Sequence, residues 1–333
     1  RLHGAGRASG MTSSLSWSQA ELMTKVARLS AEQGLRQVDI ARRLNLSQAT
    51  VSRLLSRARD AGILRIQVVP PVGLHVELED GLLARFGLED AVVVDGAPAG
   101  ADPAQDLGMR AAGYLQATLG TEGTVGISSW SATLLAAATA MGAAVPVRPS
   151  RPRQVVQLVG GHGDPHVQAQ AVRLLTLVAQ AIGGEGVSLP APGILGSASA
   201  RDALMSDPAL APIVHAWSRV SVALVGIGSV DPSPLVRDSG NAWGPDEVRD
   251  LARAGAVGDI CFRFFDAVGQ AVVSSLDGRV VGISGEEFRA IPRRVAVAAG
   301  PSKVSAIAGA ASGGWLTSLV TDVHTAEALL ATP

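Results

Sequence analysis

Cysteine is almost absent from this chain, whose single thiol is Cys261. A lone cysteine excludes an intramolecular disulfide and a metal centre built from several thiolates. The lack of paired cysteines is typical of a protein from a reducing compartment. We therefore expect a cytoplasmic protein with no metal site.

Long apolar runs are also lacking. The most apolar stretch, LLAAATAMGAAVPV at 134–147, is short, rich in alanine and interrupted by Gly and Pro. A membrane-spanning helix needs about 20 apolar residues, so this stretch predicts a buried helix instead. The first residues carry no secretory pattern, and we expect residues 1–15 to be a disordered extension of a protein without a membrane partner.

Charge is nearly balanced over the whole chain but not along it. The 333 residues carry a formal net charge of -1. Residues 1–66 hold 11 Lys and Arg against 4 Asp and Glu, a net +7, and the rest hold 17 against 25. This segregation predicts a basic head that meets a polyanion, with chance clustering on a solvated face as the alternative. The length predicts two domains of unequal size.

The segment QVDIARRLNLSQATVSRLLSRARDAG, residues 37–62, predicts two short helices around a tight turn. Its apolar residues follow helical spacing on both sides of a break at Asn45. Ser47 is a suitable N-cap for the second helix, Gly62 ends it, and Ala41 is small where the helices must cross. This arrangement is typical of a helix-turn-helix DNA-binding unit.

The outward face of the second helix is predicted to enter a major groove. Gln can pair with adenine, Arg with guanine or phosphate, and an Ala methyl can touch thymine. The predicted DNA contacts are Ser47, Gln48, Ala49, Ser52, Arg53 and Ser56, with Arg43 and Arg57 placed for phosphates. An ordinary helical hairpin with a basic solvated face is the alternative.

Flanking segments extend the head. An amphipathic helix over 17–33 would make a three-helix unit, and ILRIQVVPP at 63–71 alternates like a short wing strand before a double proline. We therefore expect a winged helix-turn-helix domain over 16–70, a linker with a connecting helix over 71–90, and a larger domain over 91–333.

In the larger domain, short apolar runs alternate with helical segments after a connecting helix at about residues 75–86. The runs begin near residues 91, 124, 154, 221, 294 and 315 and are continuously apolar. This alternation predicts an α/β domain with a parallel sheet covered by helices on both faces. Ligands of such sheets bind beyond the carboxyl ends of the strands, in the loops that follow the runs.

Several of these loops carry recognisable patterns. SSWSAT at 128–133 is a hydroxyl-rich turn whose amides could hold a phosphate or sugar oxygen, although a plain N-cap explains it equally well. GIGS at 226–229 resembles part of a dinucleotide fingerprint, but VDPSPLVRDSG follows instead of a helix, so no NAD is expected. His162, Asp164 and His166 could ligate a metal, yet a Gly-rich turn with solvated histidines explains them better.

Lysine is rare in this chain, which has 26 arginines but only two lysines, Lys25 and Lys303. Lys303 is predicted to open a helix just after a strand and the turn AGPS. The helix dipole disfavours a cation there unless an anion or hydroxyl-bearing ligand shares the site. Asp259 in GAVGDICFRFFD could be its charge partner or accept a sugar hydroxyl. A surface lysine lying over an Ala-rich helix is the alternative.

The chain resembles the SorC family of sugar-responsive bacterial transcriptional regulators from about Trp17 onward. The resemblance is carried by QVDIARRLNLSQATVSRLLSRARDAGIL, VGISSWSATL, QLVGG, VALVGIGS, GAVGDICFRFFDAVG and AAGPSKVSAIAGAASGGWLTSLVTD. It implies a helix-turn-helix joined to a Rossmann-like effector and oligomerisation domain similar to sugar-phosphate isomerases and deaminases. It also implies a dimer or tetramer on operator DNA, whose DNA affinity is altered by a phosphorylated sugar or sugar-like inducer.

The resemblance also implies a set of effector contacts. They fall on Ser129, Trp130, Ser131 and Thr133, on Gly160 and Gly161 of QLVGG, and on Asp259 and Lys303. The chain has Ser131 where the family often has glycine. A β-carbon there narrows the approach of a phosphate to the backbone, while the hydroxyl adds a hydrogen-bond donor. Some members are thought to form a Schiff base with an open-chain sugar, for which Lys303 is the lysine of the effector domain.

Together these patterns predict a sugar-responsive, homo-oligomeric transcriptional regulator that is not an enzyme and needs no cofactor. The main alternative is an active sugar-phosphate isomerase or deaminase with a DNA-binding head. Turnover would need a general base poised near neutrality, and no pair among Asp259, Asp266 and His162 has a spacing that demands catalysis. A constitutive architectural DNA binder is a third alternative, which a response to inducer would exclude.

Overall fold

The protein is represented by a computed structural model that describes residues 17–65, 73–120, 123–142, 153–241 and 243–331. It divides into two compact units, residues 1–70 and 71–333. The extension predicted at 1–15 and the larger part of the predicted wing strand at 63–71 lie outside the described residues.

The first unit has three helices in its described part: α1 Trp17–Ala31, α2 Gln37–Leu44 and α3 Gln48–Asp60. The helix predicted over 17–33 ends two residues earlier, at Ala31. α2 ends at Leu44, and its C-cap Asn45 adopts the left-handed conformation (φ 54°, ψ 44°) that asparagine tolerates better than most residues. The helices enclose a small apolar core of Val26, Leu29, Ile40, Ala41, Val51 and Leu55.

The second unit has these described strands: β1 Asp90–Val94, β2 Thr124–Ile127, β3 Arg153–Gln157, β4 Gly184–Val187, β5 Val220–Val225, β6 Gly228–Ser229, β7 Ala256–Ile260, β8 Arg263–Asp266, β9 Arg293–Val297 and β10 Ser318–Asp322. Seven of them form a parallel sheet in the order β1-β10-β9-β5-β2-β3-β4. The other three form a small antiparallel sheet in the order β6-β7-β8. The predicted α/β domain with a parallel sheet is confirmed.

Helices cover both faces of the large sheet. The described helices of this unit are α4 Val76–Phe86, α5 Pro103–Thr118, α6 Ala132–Met141, α7 Pro165–Ile182, α8 Ala198–Met205, α9 Ala211–Trp217, α10 Pro234–Asp238, α11 Pro245–Arg253, α12 Gly285–Ala290, α13 Val304–Ser312 and α14 Val323–Ala331. Successive residues of β5 enter different cores, with Val222 and Leu224 in one and Ala223 and Val225 in the other. The strands are continuously apolar because both of their faces are buried.

The Ala-rich run at 134–147 begins inside α6, a helix with a largely buried apolar side, as predicted. Within the described ranges, no helix combines the length and the apolar content that a bilayer crossing needs. The last predicted strand run starts at Trp315, but the strand itself begins at Ser318. Trp315 is fully buried and its Nε1 donates to the Gly269 carbonyl at 2.8 Å, so packing explains its apolar character.

The edge strand β4 and the small sheet of β6, β7 and β8 were not predicted. The edge strand β4 has the sequence GEGV, and the small sheet contains a strand of two residues, β6. Such short, glycine-rich segments lack the apolar periodicity by which strands are recognised in a sequence. These segments are strands because they pair with neighbouring strands, and not because their own residues have a strand pattern.

Candidate functional site

The order of the strands creates a crevice between β2 and β5. These strands are neighbours, but the next strand of the sheet is β3 on one side and β9 on the other. Loops that leave such strands diverge, and ligands of open α/β sheets bind in the resulting crevice. A cleft of about 560 Å³ lies here, lined by both loops, by the turn between β7 and β8, and by Lys303.

The loop after β2 is tied to the loop after β5. Ser128 Oγ accepts a hydrogen bond from the Gly226 N–H at 3.3 Å. Trp130 is held by its Nε1, which donates to the Gly160 carbonyl at 2.9 Å, and its ring lines the cleft. These bonds give the cleft a fixed wall before any ligand binds.

Ser131 and Thr133 line the cleft at the start of α6. Ser131 is the N-cap of this helix, since its Oγ accepts from the Leu134 N–H at 3.2 Å. The N-cap interpretation of SSWSAT is therefore confirmed, while a ligand contact by the same loop stays a prediction. A Cβ at Gly226 would lie 2.8 Å from Ser131 Oγ, so glycine allows the two loops to approach.

Three of the predicted effector contacts, Ser129, Gly160 and Gly161, do not line the cleft. Ser129 is buried, and its Oγ donates to a backbone carbonyl at 2.6 Å. A Cβ at Gly160 would lie 2.3 Å from the Pro192 carbonyl oxygen, and one at Gly161 would lie 2.4 Å from Gln157 Nε2. Packing accounts for these three residues, and we do not carry them into the proposed contact set.

A tight turn between β7 and β8 forms another wall. Its two residues, Cys261 and Phe262, have φ of 53° and 62°. Two-residue hairpin turns of this kind favour glycine and asparagine, so other residues need support from their surroundings. Asp259 Oδ2 supports the turn by accepting a hydrogen bond from the Phe262 N–H at 2.9 Å. A Cβ at Gly228, on the paired strand β6, would lie 1.9 Å from Asp259 Oδ1.

Asp259 and Lys303 are the two interacting charges of the cleft. Burial raises the pKa of Asp259 to about 6, while the Phe262 N–H and the Lys303 ammonium favour its charged form. Burial lowers the pKa of Lys303, and the Asp259 carboxylate opposes this effect. Within the described part of the chain, no hydrogen bond or ion pair to the Lys303 ammonium is found. Its donors are thus available for a ligand.

Lys303 lies where the sequence predicted it. β9 ends at Val297, a 3-10 turn runs over Pro301–Lys303, and α13 begins at Val304. The predicted helix start is confirmed. The position of the lysine on the cleft wall disfavours the surface alternative.

The other sequence motifs have structural explanations. The GIGS segment leads into β6, and the next helix begins only at Pro234, so the dinucleotide fingerprint is not completed. Asp164 caps α7, with its Oδ1 accepting from the His166 N–H at 2.9 Å. Among the described residues, no group of three His, Cys, Asp or Glu side chains is placed to hold a metal ion.

Among the residues of the cleft wall that sequence reasoning missed are two aromatic and two acidic ones: Trp243, Phe262, Asp102 and Asp238. Trp243 precedes α11 in a loop without periodicity, and its Nε1 donates to the Val230 carbonyl at 2.9 Å. Aromatic residues make up 3% of the chain. A tryptophan outside the apolar runs was therefore a usable signal, of the same kind as the rarity of lysine.

In the first unit, α3 has one buried face and one exposed face. Val51, Leu55 and Ala58 are buried, and Ser47 Oγ accepts from the Thr50 N–H at 3.1 Å, which confirms the predicted N-cap. All of the predicted DNA contacts are exposed: Arg43, Ser47, Gln48, Ala49, Ser52, Arg53, Ser56 and Arg57. The unit thus presents a polar helix face with a rigid apolar support.

Comparison with known proteins agrees with this division. The family model described as "Putative sugar-binding domain" matches residues 71–331, and the model described as "Winged helix-turn-helix DNA-binding" matches residues 27–65. The deoxyribonucleoside regulator of Bacillus subtilis is 32% identical over 313 residues, which cover 93% of this chain and 97% of that protein.

A second relative is similar to this chain both in sequence and in its solved structure. The sorbitol operon regulator of Klebsiella pneumoniae is 32% identical over 317 residues, which cover 93% of this chain and 97% of that protein. The crystal structure of the full-length sorbitol operon regulator SorC from Klebsiella pneumoniae matches with a TM-score of 0.68 at 29% identity. That match covers 93% of this chain and 98% of the solved chain, so both units are included.

Proposed function

The chain belongs to the SorC family of sugar-binding transcriptional regulators, and on that basis we propose that it binds operator DNA with an affinity controlled by a sugar, sugar alcohol or sugar phosphate. The observation that carries this proposal is the cleft between β2 and β5. It gathers hydroxyl, carboxylate, ammonium and aromatic groups in one site. Small-ligand sites have this composition, with apolar walls and a few polar groups that orient the ligand.

In this proposal the first unit binds DNA. α3 enters a major groove with Gln48 and Arg53 towards base edges, while Arg43 and Arg57 meet phosphates. The exposure of these side chains supports the assignment, and so does the net +7 of residues 1–66. Phosphate contacts supply most of the sequence-independent affinity, and base contacts supply the specificity.

The cleft of the second unit binds the effector. Asp259 accepts hydrogen bonds from hydroxyl groups of the ligand, Lys303 and Ser131 donate to the ligand's oxygens, and Trp130 packs against its carbon atoms. Thr133 completes the contact set at the first turn of α6. Control of DNA affinity requires that the effector bind the DNA-competent and DNA-released states with different affinities.

We propose no catalytic step. The relatives named above are transcriptional regulators. Asp266 Oδ1 accepts from the Val268 and Gln270 N–H groups at 3.0 and 2.8 Å, which makes this carboxylate part of a turn. Asp259 in turn supports the Cys261–Phe262 turn, so neither carboxylate is an uncommitted general base.

A homo-oligomer completes the proposal. One recognition helix reads only a few base pairs, and two-fold pairing doubles the site at half-site spacings of about one helical turn. Sedimentation of the full chain at micromolar concentration, with and without operator DNA, measures this directly. A monomer under both conditions would contradict it.

The regulatory proposal is tested by selecting DNA sequences that the full chain binds and then titrating the selected duplex with and without effectors. The first probes are sorbitol, which the name of one relative contains, deoxyribose, the sugar part of the deoxyribonucleosides in the name of the other, and their phosphate esters. We expect one of them to change operator affinity about 5- to 150-fold, the usual range of allosteric coupling. Unselective DNA binding that no probe alters would favour the architectural DNA binder instead.

A further inference from the structure

The charged groups on the wall of the cleft are unusual for this chain. Among the described residues that line it, the charged side chains are Asp102, Asp238, Asp259 and Lys303. The chain has 26 arginines, yet none of them is among these lining residues. With all four groups ionised, three negative charges face one positive charge.

This distribution opposes a phosphate monoester, which carries about 1.5 to 2 negative charges at pH 7. The Lys303 ammonium already interacts with the Asp259 carboxylate. Asp102 and Asp238 are exposed and add negative charge to the lining of the cleft. Arginine, whose planar fork pairs with two phosphate oxygens at once, is missing from this wall.

The Ser131 side chain narrows the N-terminus of α6. Ser131 Oγ accepts from the Leu134 N–H at 3.2 Å, so this amide is already paired. The β-carbon of Ser131 also stands close to the second loop, since a Cβ at Gly226 would lie 3.2 Å from it. The serine side chain therefore fills space through which a phosphate would reach the backbone amides.

In the part of the chain that the structure describes, the cleft is lined by aromatic side chains and not by arginines. Three of the chain's eleven aromatic residues, Trp130, Trp243 and Phe262, line the cleft. Both indole N–H groups donate to backbone carbonyls at 2.9 Å, so the rings present carbon to a ligand. Trp243 and Phe262 also hold each other in an edge-to-face contact with centroids 5.7 Å apart. Carbon-bound hydrogens of a sugar or polyol pack well against such surfaces.

We propose that the effector of this chain is an uncharged polyhydroxylated molecule, a free sugar or sugar alcohol, and that the cleft discriminates against its phosphate ester. Its hydroxyls pair with Asp259 and Lys303, and its carbon atoms pack on Trp130. Asp102 and Asp238 carry the discrimination, because their charges repel an anionic ligand. This inference rests on the proposed function, which requires that the cleft bind the effector.

Matched pairs of ligands test it: sorbitol with sorbitol 6-phosphate, deoxyribose with deoxyribose 5-phosphate, and fructose with fructose 6-phosphate. Each is titrated calorimetrically into the full chain near neutral pH at low ionic strength. We expect the uncharged member of a binding pair to bind about tenfold more tightly than its ester, which is 1.4 kcal/mol. Inorganic phosphate at the same concentration should not compete with it.

Two substitutions locate the discrimination. Asp102→Asn combined with Asp238→Asn should strengthen binding of the phosphate ester several-fold and change binding of the uncharged member much less, so that the ratio of the two affinities falls. Asparagine keeps an oxygen for the cap of α5, where Asp102 accepts from the Ala104 N–H at 2.9 Å. Asp250→Asn is the control, because Asp250 pairs with Arg253 away from the cleft. The gain should shrink at high salt, where exposed charges are screened.

The outcomes separate this inference from the regulatory proposal. A phosphate ester that binds more tightly than its parent sugar and releases operator DNA overturns the inference and leaves the regulatory proposal intact. Equal binding of both members, unchanged in the double variant, also overturns it. If no probe of either series alters operator affinity, the regulatory proposal fails and the inference fails with it.

Discussion

The two units of this protein arrange their proposed functional residues in opposite ways. In the helix-turn-helix unit, the proposed DNA contacts lie within residues 43–57 and are exposed. In the larger unit, the cleft draws on segments as far apart as Asp102 and Lys303, and several of its side chains are buried. A rigid helix face is enough to read DNA, whereas a small-ligand cleft needs several chain segments held together.

The two units also differ in charge. Residues 1–66 carry a net +7 and the rest of the chain an excess of acidic residues. A basic surface attracts a polyanion over the distance of a Debye length, while the Asp259–Lys303 pair acts at short range in a desolvated site. Substitutions in one unit should therefore leave the intrinsic ligand affinity of the other unit largely unchanged.

Gly228→Ala is expected to have the largest effect and to be confined to the larger unit. The new Cβ would lie 1.9 Å from Asp259 Oδ1 and would displace the carboxylate that supports the Cys261–Phe262 turn. Overpacking and the loss of a buried hydrogen bond together should lower the free energy of unfolding by about 3 kcal/mol. Hydrogen exchange should show weaker protection in β6–β8 and none lost in α1–α3.

Two further variants test the cause of that effect. Gly196→Ala is the matched control, because a Cβ there meets no atom within 4 Å. Asp259→Ala removes the group with which the new methyl collides, so Gly228→Ala should cost much less in that background. Equal costs in both backgrounds would contradict the assigned collision.

The pH dependence of stability should differ between the units because of Asp259. Its pKa in the folded protein is about 6, above the ordinary 3.8, so the folded state holds a proton that the unfolded state loses first. The stabilisation from this group is complete below about pH 4 and is lost as pH rises through about 6, which amounts to about 3 kcal/mol.

Asp259→Asn removes this titration while keeping an oxygen for the Phe262 N–H. Urea unfolding of wild type and variant between about pH 4 and 8 should show the variant gaining relative stability as pH rises. A difference in unfolding free energy that stays constant over this range would contradict the raised pKa. Exchange protection of α1–α3 should follow the same pH profile in both proteins.

In the DNA-binding unit, single contacts should matter to different degrees. Gln48→Ala or Arg53→Ala is expected to cost about 1 to 3 kcal/mol at one operator position and to relax specificity there. Arg43→Ala should weaken all sequences alike and reduce the salt dependence of binding by about one phosphate contact. Titrations against operator variants over a range of salt concentrations measure both. Unchanged affinity in both classes would remove α3 from the groove.

Substitution of Lys303 should separate operator binding from its response to effector. Lys303→Ala should leave operator binding intact and abolish its response to effector, a loss of about 1 to 3 kcal/mol of coupling. Lys303→Arg should rescue the response only in part, since a planar guanidinium does not reproduce a compact ammonium. Lys25→Ala, in the other unit, is the control and should keep the response factor. DNA release by Lys303→Ala at the wild-type effector concentration would exclude Lys303 from the site.

The smallest effects are expected from substitutions of a serine N-cap, of which each unit has an example. Ser47 caps α3 and Ser131 caps α6, each by accepting an N–H from the first turn. Ser→Ala at either position should cost about 1 kcal/mol and Ser→Gly only a few tenths, because glycine allows water to reach the free amide. Ser47→Ala should lower operator affinity without changing effector binding, and Ser131→Ala should do the reverse. Loss of both functions in either variant would argue that the units are coupled through these caps.

Elements that depend on neighbouring residues were recognisable in the sequence. The break at Asn45 and the cap at Ser47 need only residues a few positions away, and so does the helix start at Lys303. The apolar runs of the parallel sheet were equally visible, because strands buried on both faces are apolar throughout. The sheet of β6–β8 was missed, since strand pairing supplies what its short segments lack.

The cleft was predictable only in part. Trp130, Ser131, Thr133, Asp259 and Lys303 were proposed from the sequence and line it. Ser129, Gly160 and Gly161 were proposed on the same grounds, but their environment is backbone and core. A motif gives the order of its residues, whereas the side that each one faces depends on what packs against it.

By itself, the sequence determined the helix-turn-helix, the alternation of strands and helices, and the segregation of charge. It also showed that lysine is rare, which drew attention to Lys303. Only the tertiary structure decided that Trp243, Phe262, Asp102 and Asp238 join the cleft and that Asp259 supports a left-handed turn. The physical reason is the range of the interactions. Periodicity, capping and helix dipoles act over a few residues, but the strand order β1-β10-β9-β5-β2-β3-β4 arises from pairings between segments far apart in the chain.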